Sequence, residues 1–320
     1  MYLITGAIGF IGFHISIKLL EQGHKVIGID NLNHYYDVKL KKKRLNLLKN
    51  YNNFSFFKCD LKKYENITSL KNKKKIKFII HLAGQAGVRY SIKSPGTYVN
   101  DNILAFINLL ENFKSSKNLG CIFYASSSSV YGKNQNISNN VKLRPISIYA
   151  VSKLTMELIA RVYYHLYKIK SFGLRFFTVY GPYGRPDMAY YKFTNLIRKN
   201  KTIEIFNKGN HKRSFSHIDD VVENLMKTVK FYKKININKN PVLNLGNPVT
   251  IKLKKFISIL EQKLNKKAKR KYISLQAGDV IETKAIVNFE KKSLNYKFKI
   301  HLEKGLERFI SWHKKYHKYK

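Results

Sequence analysis

Tyr149 and Lys153 stand four residues apart in Tyr149-Ala150-Val151-Ser152-Lys153, at the start of a stretch with helical character. On a helix that spacing puts both side chains on one face. An ammonium near a phenol stabilises the phenolate and pulls its pKa below the usual value of about 10. A phenolate so placed can act as general base on an alcohol at neutral pH. Upstream, Ala125-Ser126-Ser127-Ser128-Ser129-Val130-Tyr131-Gly132 gathers hydroxyls at the end of an apolar, strand-like run. The C-terminal edge of a strand is where α/β sheets hold ligands, which makes Ser127 the candidate second hydroxyl at a reacting oxygen. Alone, a tyrosine–lysine pair often marks an exposed helix face, and a serine-rich segment is often just a turn. The surrounding elements decide between these readings.

Those elements include a nucleotide cradle. Gly6-Ala7-Ile8-Gly9-Phe10-Ile11-Gly12 follows the first strand-like run and opens the first helical stretch. Gly6 permits a tight turn, Gly9 lets a pyrophosphate approach the backbone, and Gly12 allows close helix–strand packing. The helix N-terminus adds free N–H groups and a positive dipole end. The spacing is GxxGxxG, and its strand–turn–helix context gives it meaning. A second run leads to Asp30, where a carboxylate accepts from adenosine ribose hydroxyls and repels a 2′-phosphate, favouring NAD over NADP. Asp60 is expected to end the third strand, either meeting the adenine amino group or capping a helix before Leu61. Leu82-Ala83-Gly84 follows the fourth, with small residues where a phosphate or ribose passes.

The first half of the chain alternates such runs with helical patterns. Strands are expected at Tyr2–Thr5, Lys25–Ile29, Phe54–Lys58, Phe78–His81, Cys121–Ala125 and Ser171–Phe176. Helices are expected at Phe10–Glu21, Tyr98–Ser115 and Tyr149–Tyr167. This rhythm predicts an α/β fold, a Rossmann-type doubly wound parallel sheet. Beyond about Arg175 the rhythm breaks, and Pro182, Pro186, Pro241 and Pro248 punctuate shorter elements. A division follows: residues 1–176 as the dinucleotide-binding domain, and 177–320 as a smaller mixed substrate domain with segments returning to the first. Lys233–Asn240 is of low complexity and reads as a surface loop.

Bulk properties set limits. The 320 residues carry 61 Lys and Arg against 19 Asp and Glu, a net charge of +42. Such a balance can indicate nucleic-acid binding. Here the lysines are scattered along the chain beside Asn and Ile, as coding bias would leave them on solvated faces. No specific nucleic-acid partner is expected, although the charge would steer a doubly phosphorylated substrate inward. Neither a signal peptide nor a membrane span is apparent. Cys59 and Cys121 form no metal-binding spacing and read as buried, reduced thiols of a cytoplasmic protein.

Together these segments resemble the extended short-chain dehydrogenase/reductase family of nucleotide-sugar enzymes, from about Met1 to Tyr316. The resemblance is carried by the glycine turn and by Gly28-Ile29-Asp30-Asn31-Leu32-Asn33 with Tyr35-Tyr36-Asp37. Gln85-Ala86-Gly87-Val88-Arg89-Tyr90-Ser91, Ser126–Gly132 and Tyr149–Lys153 extend it. Leu174–Pro182 and Gly184-Arg185-Pro186-Asp187-Met188-Ala189 complete it. It implies tightly held NAD, contacted by Gly6, Gly9, Phe10, Ile11, Gly12, Asp30, Asn31, Asp60, Leu61, Leu82, Ala83, Gly84, Tyr149 and Lys153. It also implies a UDP-sugar substrate and a homodimer packed through helices.

By the same resemblance, Tyr149 is the base, Lys153 its partner and Ser127 the second hydroxyl on the sugar O4. Ser126, Ser128 and Thr178 hold the sugar's upper end, including a carboxylate. Arg185 and Arg213 meet the uronate or the diphosphate, Arg89 belongs to the substrate set, and Asn207 lies where the uracil-side strand runs. Gln276-Ala277-Gly278-Asp279-Val280 matches a late substrate loop. The implied reaction is reversible inversion at C4 of UDP-glucuronate to UDP-galacturonate through a 4-keto sugar. Dehydratases of the family carry Asp-Glu before Val-Tyr-Gly, and its decarboxylases a Glu; this chain has Ser128 and Ser129. A 4-epimerase of a UDP-N-acetylhexosamine or its uronate is the alternative within the class. A non-catalytic NAD-sensing or nucleic-acid-binding protein is the alternative outside it. The chain departs from the family at Gly84, usually Ala, and at Arg213-Ser214-Phe215-Ser216-His217-Ile218-Asp219-Asp220, usually Arg-Asp-Phe-Thr-Tyr-Ile-Asp-Asp. Capping is the expected role of Asp219 and Asp220.

Overall fold

The computed structural model describes residues 1–133, 142–235, 242–274 and 280–319. Its strands in chain order are β1 (Tyr2–Thr5), β2 (Val26–Asp30), β3 (Phe54–Lys58), β4 (Phe78–His81), β5 (Cys121–Ser127), β6 (Ser171–Phe176), β7 (Thr178–Tyr180), β8 (Ile203–Phe206), β9 (Lys212–His217), β10 (Val242–Leu245), β11 (Thr250–Lys252), β12 (Arg270–Ile273) and β13 (Glu282–Thr283). Seven form one sheet, ordered β3-β2-β1-β4-β5-β6-β10, in which every neighbouring pair is parallel. Its central strands are apolar runs because helices cover both faces. The period-2 alternation is visible in β1. Tyr2 and Ile4 enter a core shared with helices Phe10–Glu21 and Ile218–Phe231, whereas Leu3 enters one shared with Ala105–Phe113 and Ile148–Tyr167.

The strand order reverses beside β1, whose neighbours are β2 and β4. A crevice opens there at the carboxyl ends of the strands, the usual ligand position of such sheets. One residue, Phe177, separates β6 from β7, where the chain leaves the large sheet for a smaller one of β7, β9, β11 and β13. In this mixed sheet β11 is antiparallel to β9, whereas β7 and β13 are parallel to it. A third core gathers Tyr180, Tyr190, Phe215, Phe256 and Phe309 under it. β10 returns to the edge of the large sheet, pairing Val242 with Gly173.

Several element limits differ from those expected. β2 runs one residue further, because Asp30 pairs with Lys58. β5 continues to Ser127, because Ser126 and Ser127 pair with Arg175 and Phe176. β3 stops at Lys58, so Asp60 sits in the following turn rather than ending the strand. The single helix expected over Tyr98–Ser115 is three pieces: Pro95–Tyr98, a π-helical Val99–Leu104, and Ala105–Phe113. Such wide turns are frequent at functional sites; this one carries the buried Asn102. Cys59 and Cys121 are buried and unpaired. Most of Lys233–Asn240 lies outside the described residues, as does Gln276–Asp279. Among the described residues no helix is long and apolar enough to cross a membrane.

Candidate active site

A cleft of about 890 Å³ runs along the carboxyl edge of the large sheet and under the small one. Its nucleotide end is made by backbone. Gly6 N donates to Ile29 O at 2.8 Å, and Gly9 N to Gly6 O at 2.9 Å, which closes the turn. A Cβ on Gly12 would lie 2.1 Å from Gly6 O, and one on Gly6, at φ +68°, 2.8 Å from Ala83 N. Only glycine lets these segments approach so closely. Gly9 caps helix Phe10–Glu21 without a side chain, leaving the positive helix end open to an anion.

The walls beside this turn are fixed by short polar contacts. Thr5 Oγ1 accepts from Leu82 N at 3.2 Å and Ala83 N at 3.1 Å, holding the rim after β4. Asp30 Oδ1 accepts from Leu32 N at 2.8 Å. Burial raises the Asp30 carboxyl, against the pull of the Lys41 and Arg44 cations. Asp60 Oδ1 accepts from Lys62 N at 3.1 Å and shapes its own turn while lining the cleft. Gly84 has φ +145°, and a Cβ there would lie 2.5 Å from Asn102 Oδ1. Its glycine therefore suits both the backbone and the packed amide. A glycine cradle, an open helix end and a carboxylate one strand away fit a dinucleotide.

The other end carries the polar side chains. Ser147 Oγ accepts from Ala150 N at 3.1 Å and starts helix Ile148–Tyr167. Tyr149 and Lys153 both line the cleft, with Lys153 buried. Ser127 Oγ accepts from Ser129 N at 3.1 Å, which turns the chain out of β5. The expected lowering of the phenol by its lysine is not what the protein alone produces. Burial pushes Tyr149 above its usual pKa, and Ser127 and Arg185 pull it partly back. Burial also lowers Lys153 to about 8, and its Nζ lies 3.6 Å from Met156 Sδ. Asn102 ties the two ends together. It accepts from Gln85 N at 2.8 Å and donates to Ser152 Oγ at 2.9 Å, while Ser152 donates to Tyr149 O at 2.8 Å.

On the substrate side, Ser128, Thr178, Arg89, Arg185 and Arg213 all line the same cleft. Arg89 stacks over Phe206 at 4.2 Å. Arg213 donates to Lys212 O at 3.0 Å and Ile281 O at 2.9 Å. Arg185 grips Asp187 through Nε at 3.0 Å and Nη2 at 2.5 Å, and Tyr35 donates to Asp187 at 3.2 Å from the opposite wall.

Two expected ligands are placed differently from the rest of the set. Ser126 follows the strand alternation away from Ser127, and its hydroxyl donates to buried Glu157 at 2.5 Å. Ser126 lines the cleft all the same, with its hydroxyl engaged by Glu157. Asn207 lies one residue past β8 in a left-handed turn, and its neighbour Phe206 lines the cleft instead. Asp279 lies outside the described residues.

The departures around Arg213 serve the scaffold. Ser214 donates to Asn247 O and Ser216 Oγ accepts from Asn247 N at 2.8 Å, so alternate hydroxyls of β9 secure the loop after β10. Asp220 accepts from Lys299 N at 3.1 Å and Ile300 N at 3.0 Å, whereas Asp219 pairs with Arg308 at 3.0 Å. His217 caps the helix they begin, accepting from Asp219 N at 3.2 Å. Tyr35, Asn102, Glu157 and Asp187 were not expected at the site. Glu157 alone carried a spacing signal, four residues beyond Lys153 on the same helix face.

Comparison with known proteins agrees with this arrangement. An uncharacterised Methanocaldococcus jannaschii protein is 47% identical, the match covering 97% of this chain and 95% of that one. UDP-glucuronate 4-epimerase 5 of Arabidopsis thaliana is 43% identical over 97% of this chain and 74% of its own. The crystal structure of UDP-glucuronic acid 4-epimerase from Bacillus cereus, in complex with UDP-glucuronic acid and NAD, superposes with a TM-score of 0.93 at 32% identity. That match covers 98% of this chain and 99% of the other. Residues 2–246 match the model of the NAD dependent epimerase/dehydratase family, and the chain belongs to that family.

Proposed function

We propose that this protein interconverts UDP-glucuronate and UDP-galacturonate, inverting C4 through a 4-keto intermediate with NAD as cofactor. One observation carries the reading. A single cleft joins a dinucleotide cradle to Tyr149, Lys153 and Ser127, with hydroxyls at Ser128 and Ser129 where elimination would require acids. The likeness to UDP-glucuronate 4-epimerases supports the choice of sugar.

The chain's residues divide the work. Tyr149 takes the O4 proton as the C4–H bond breaks, with Ser127 hydrogen-bonded to the same oxygen. Lys153 and Arg185 favour the phenolate electrostatically. The hydride taken from C4 and returned to its other face is the chemistry that bound NAD supplies. Between these events the keto sugar turns over, and Tyr149 then returns the proton. Ser128 and Thr178 hold the C6 carboxylate, while Arg89 and Arg213 serve the diphosphate side.

We also assign residues 1–176 to dinucleotide binding and most of 177–320 to the sugar nucleotide, with β10 as a returning segment. A homodimer is supported by an exposed apolar stripe on helix Ile148–Tyr167: Val151, Leu158, Val162 and Leu166. A monomer would leave this stripe in water. Buried unpaired thiols suit a reducing cytoplasm. The deciding experiment incubates purified, NAD-loaded protein with UDP-glucuronic acid and follows the sugar signals by NMR. UDP-galacturonic acid at equilibrium is expected; unchanged substrate would sink the proposal.

A further inference from the structure

Arg44 lies outside the cleft, on the helix Val38–Lys49, and is fully buried. Its guanidinium is spent mainly on backbone. Nη1 donates to Ile8 O at 2.8 Å and to Tyr36 OH at 2.7 Å. Nη2 donates to Tyr183 O at 2.6 Å and to Gly184 O at 3.3 Å. Ile8 lies inside the glycine turn that cradles the dinucleotide. Tyr183 and Gly184 immediately precede Arg185, which lines the same cleft as Tyr149 and whose positive charge favours the phenolate. One buried side chain thus bridges both halves of the site.

A buried cation facing mostly neutral acceptors is costly unless its geometry is used. The segment it holds is tightly constrained. Tyr183 has φ +55°, and a Cβ on Gly184 would lie 1.9 Å from Tyr190 OH. Tyr183 is also wedged between Phe13, at 4.9 Å, and Trp312, at 5.0 Å. A second tether leaves the same wall, Tyr35 to Asp187, the carboxylate that Arg185 grips. Arg44 further pulls the Asp30 carboxyl toward its anionic form, against the burial that raises it. A lysine presents one point charge and cannot span four acceptors in two directions as this planar fork does.

We propose that Arg44 is a positioning residue that couples the dinucleotide turn to the placement of Arg185 beside Tyr149, so that cofactor retention and sugar turnover share one buried guanidinium. The proposal rests on the epimerase reading for the roles of Tyr149 and Arg185.

Arg44→Lys and Arg44→Met test it. NAD carried through purification, released by acid and quantified by absorbance, should fall about tenfold in either variant. Amide exchange over residues 181–188 should slow on adding NAD to the wild type, and this protection should vanish in Arg44→Lys. With saturating NAD restored, the acidic limb of kcat/KM should move to higher pH, because Arg185 no longer favours the phenolate. A purely structural role would lower activity with the folded fraction and leave that limb in place. Wild-type NAD content in both variants would overturn the coupling. So would retained exchange protection with an unmoved pH limb. If Arg44→Met does not fold, Arg44→Lys, checked by its melting temperature, carries the test. The nucleotide and exchange readouts stand even if the wild type inverts no sugar, so the two proposals fail separately.

Discussion

Arg175 holds Glu157 through two hydrogen bonds, Nε to Oε1 at 2.9 Å and Nη2 to Oε2 at 2.7 Å, with both side chains buried. Ser126 donates to the same carboxylate from the strand residue before Ser127. Arg175 also donates to Tyr131 OH at 2.9 Å. The pair therefore locks the end of β5 onto the helix that bears Tyr149. Removing the carboxylate leaves a buried guanidinium without its counter-charge, which costs about 3–5 kcal/mol. Glu157→Ala should lose that much in urea unfolding. The double replacement Glu157→Leu with Arg175→Met should lose far less. Equal losses would show that the penalty is packing and not the stranded charge.

The nucleotide half was legible in the sequence because its function is written in backbone requirements. Gly6 and Gly12 answer steric demands that no other residue meets, and Asp30 follows from its place on β2. Tyr149 and Lys153 were legible because helical spacing is local. The Ser126–Glu157 contact was not legible, because adjacent strand residues face opposite ways and the phase is fixed only where β5 pairs through Ser127. Tyr35 and Arg44 were illegible for another reason. Their partners lie across the chain, as 152 residues separate Tyr35 from Asp187. The small sheet interleaves β7, β9, β11 and β13, an order that no periodicity announces.

Tyr149→Phe should keep its NAD, because the phenol oxygen plays no part in the glycine cradle. Turnover should fall by about 10²–10⁴, the usual range for losing a general base. Burial raises Tyr149, so the protein must supply positive charge to make the phenolate available. Lys153→Met should accordingly move the acidic limb of kcat/KM upward as well as lower its plateau. Stopped assays across pH 6–9, using the measured NAD content to normalise, distinguish lost chemistry from lost cofactor. A phenylalanine variant with near-normal turnover would remove Tyr149 from the mechanism.

Buried histidines should make the fold acid-labile. His81 and His313 are both lowered to about 3, chiefly by burial. In the unfolded chain each titrates near 6.5. Between these values the unfolded state binds the extra proton, so stability is fully present above about 6.5 and falls as pH drops toward 3. Each contributes a slope of about 1.4 kcal/mol per pH unit. Urea unfolding at pH 7, 6 and 5 should show this fall. His81→Asn should flatten it by one histidine's share, whatever its effect on absolute stability. An unchanged slope would mean that His81 accepts a proton within the fold.

The apolar stripe of helix Ile148–Tyr167 predicts the assembly. Leu158 and Leu166 are 51% and 60% exposed, and Ile92 and Val99 lie uncovered on nearby helices. Leu158→Lys with Val162→Glu should yield a soluble monomer by analytical ultracentrifugation, while the wild type sediments as a dimer. The site faces the cleft and not this stripe, so NAD content should be kept. A wild-type monomer at micromolar concentration would leave the stripe without its proposed partner copy.

The final prediction follows from the sugar's own chemistry. Once C4 is a ketone, the C6 carboxylate belongs to a β-keto acid, which loses carbon dioxide when the C5–C6 bond stands perpendicular to the carbonyl plane. An epimerase must hold the carboxylate away from that alignment while the ring turns over. Ser128, in the turn after β5, and Thr178, on β7, line the cleft on the two sheets that meet at Phe177. Hydroxyl hydrogen bonds from both sides would fix the carboxylate's orientation without adding an acid. Ser128→Ala and Thr178→Ala should therefore raise the ratio of UDP-4-ketopentose to inverted uronate, with one NADH left for each decarboxylated ketone that escapes before the hydride is returned. Product ratios by NMR, with absorbance at the NADH band, measure both. If each variant slows inversion without any ketopentose, these hydroxyls bind the substrate but do not restrain its carboxylate.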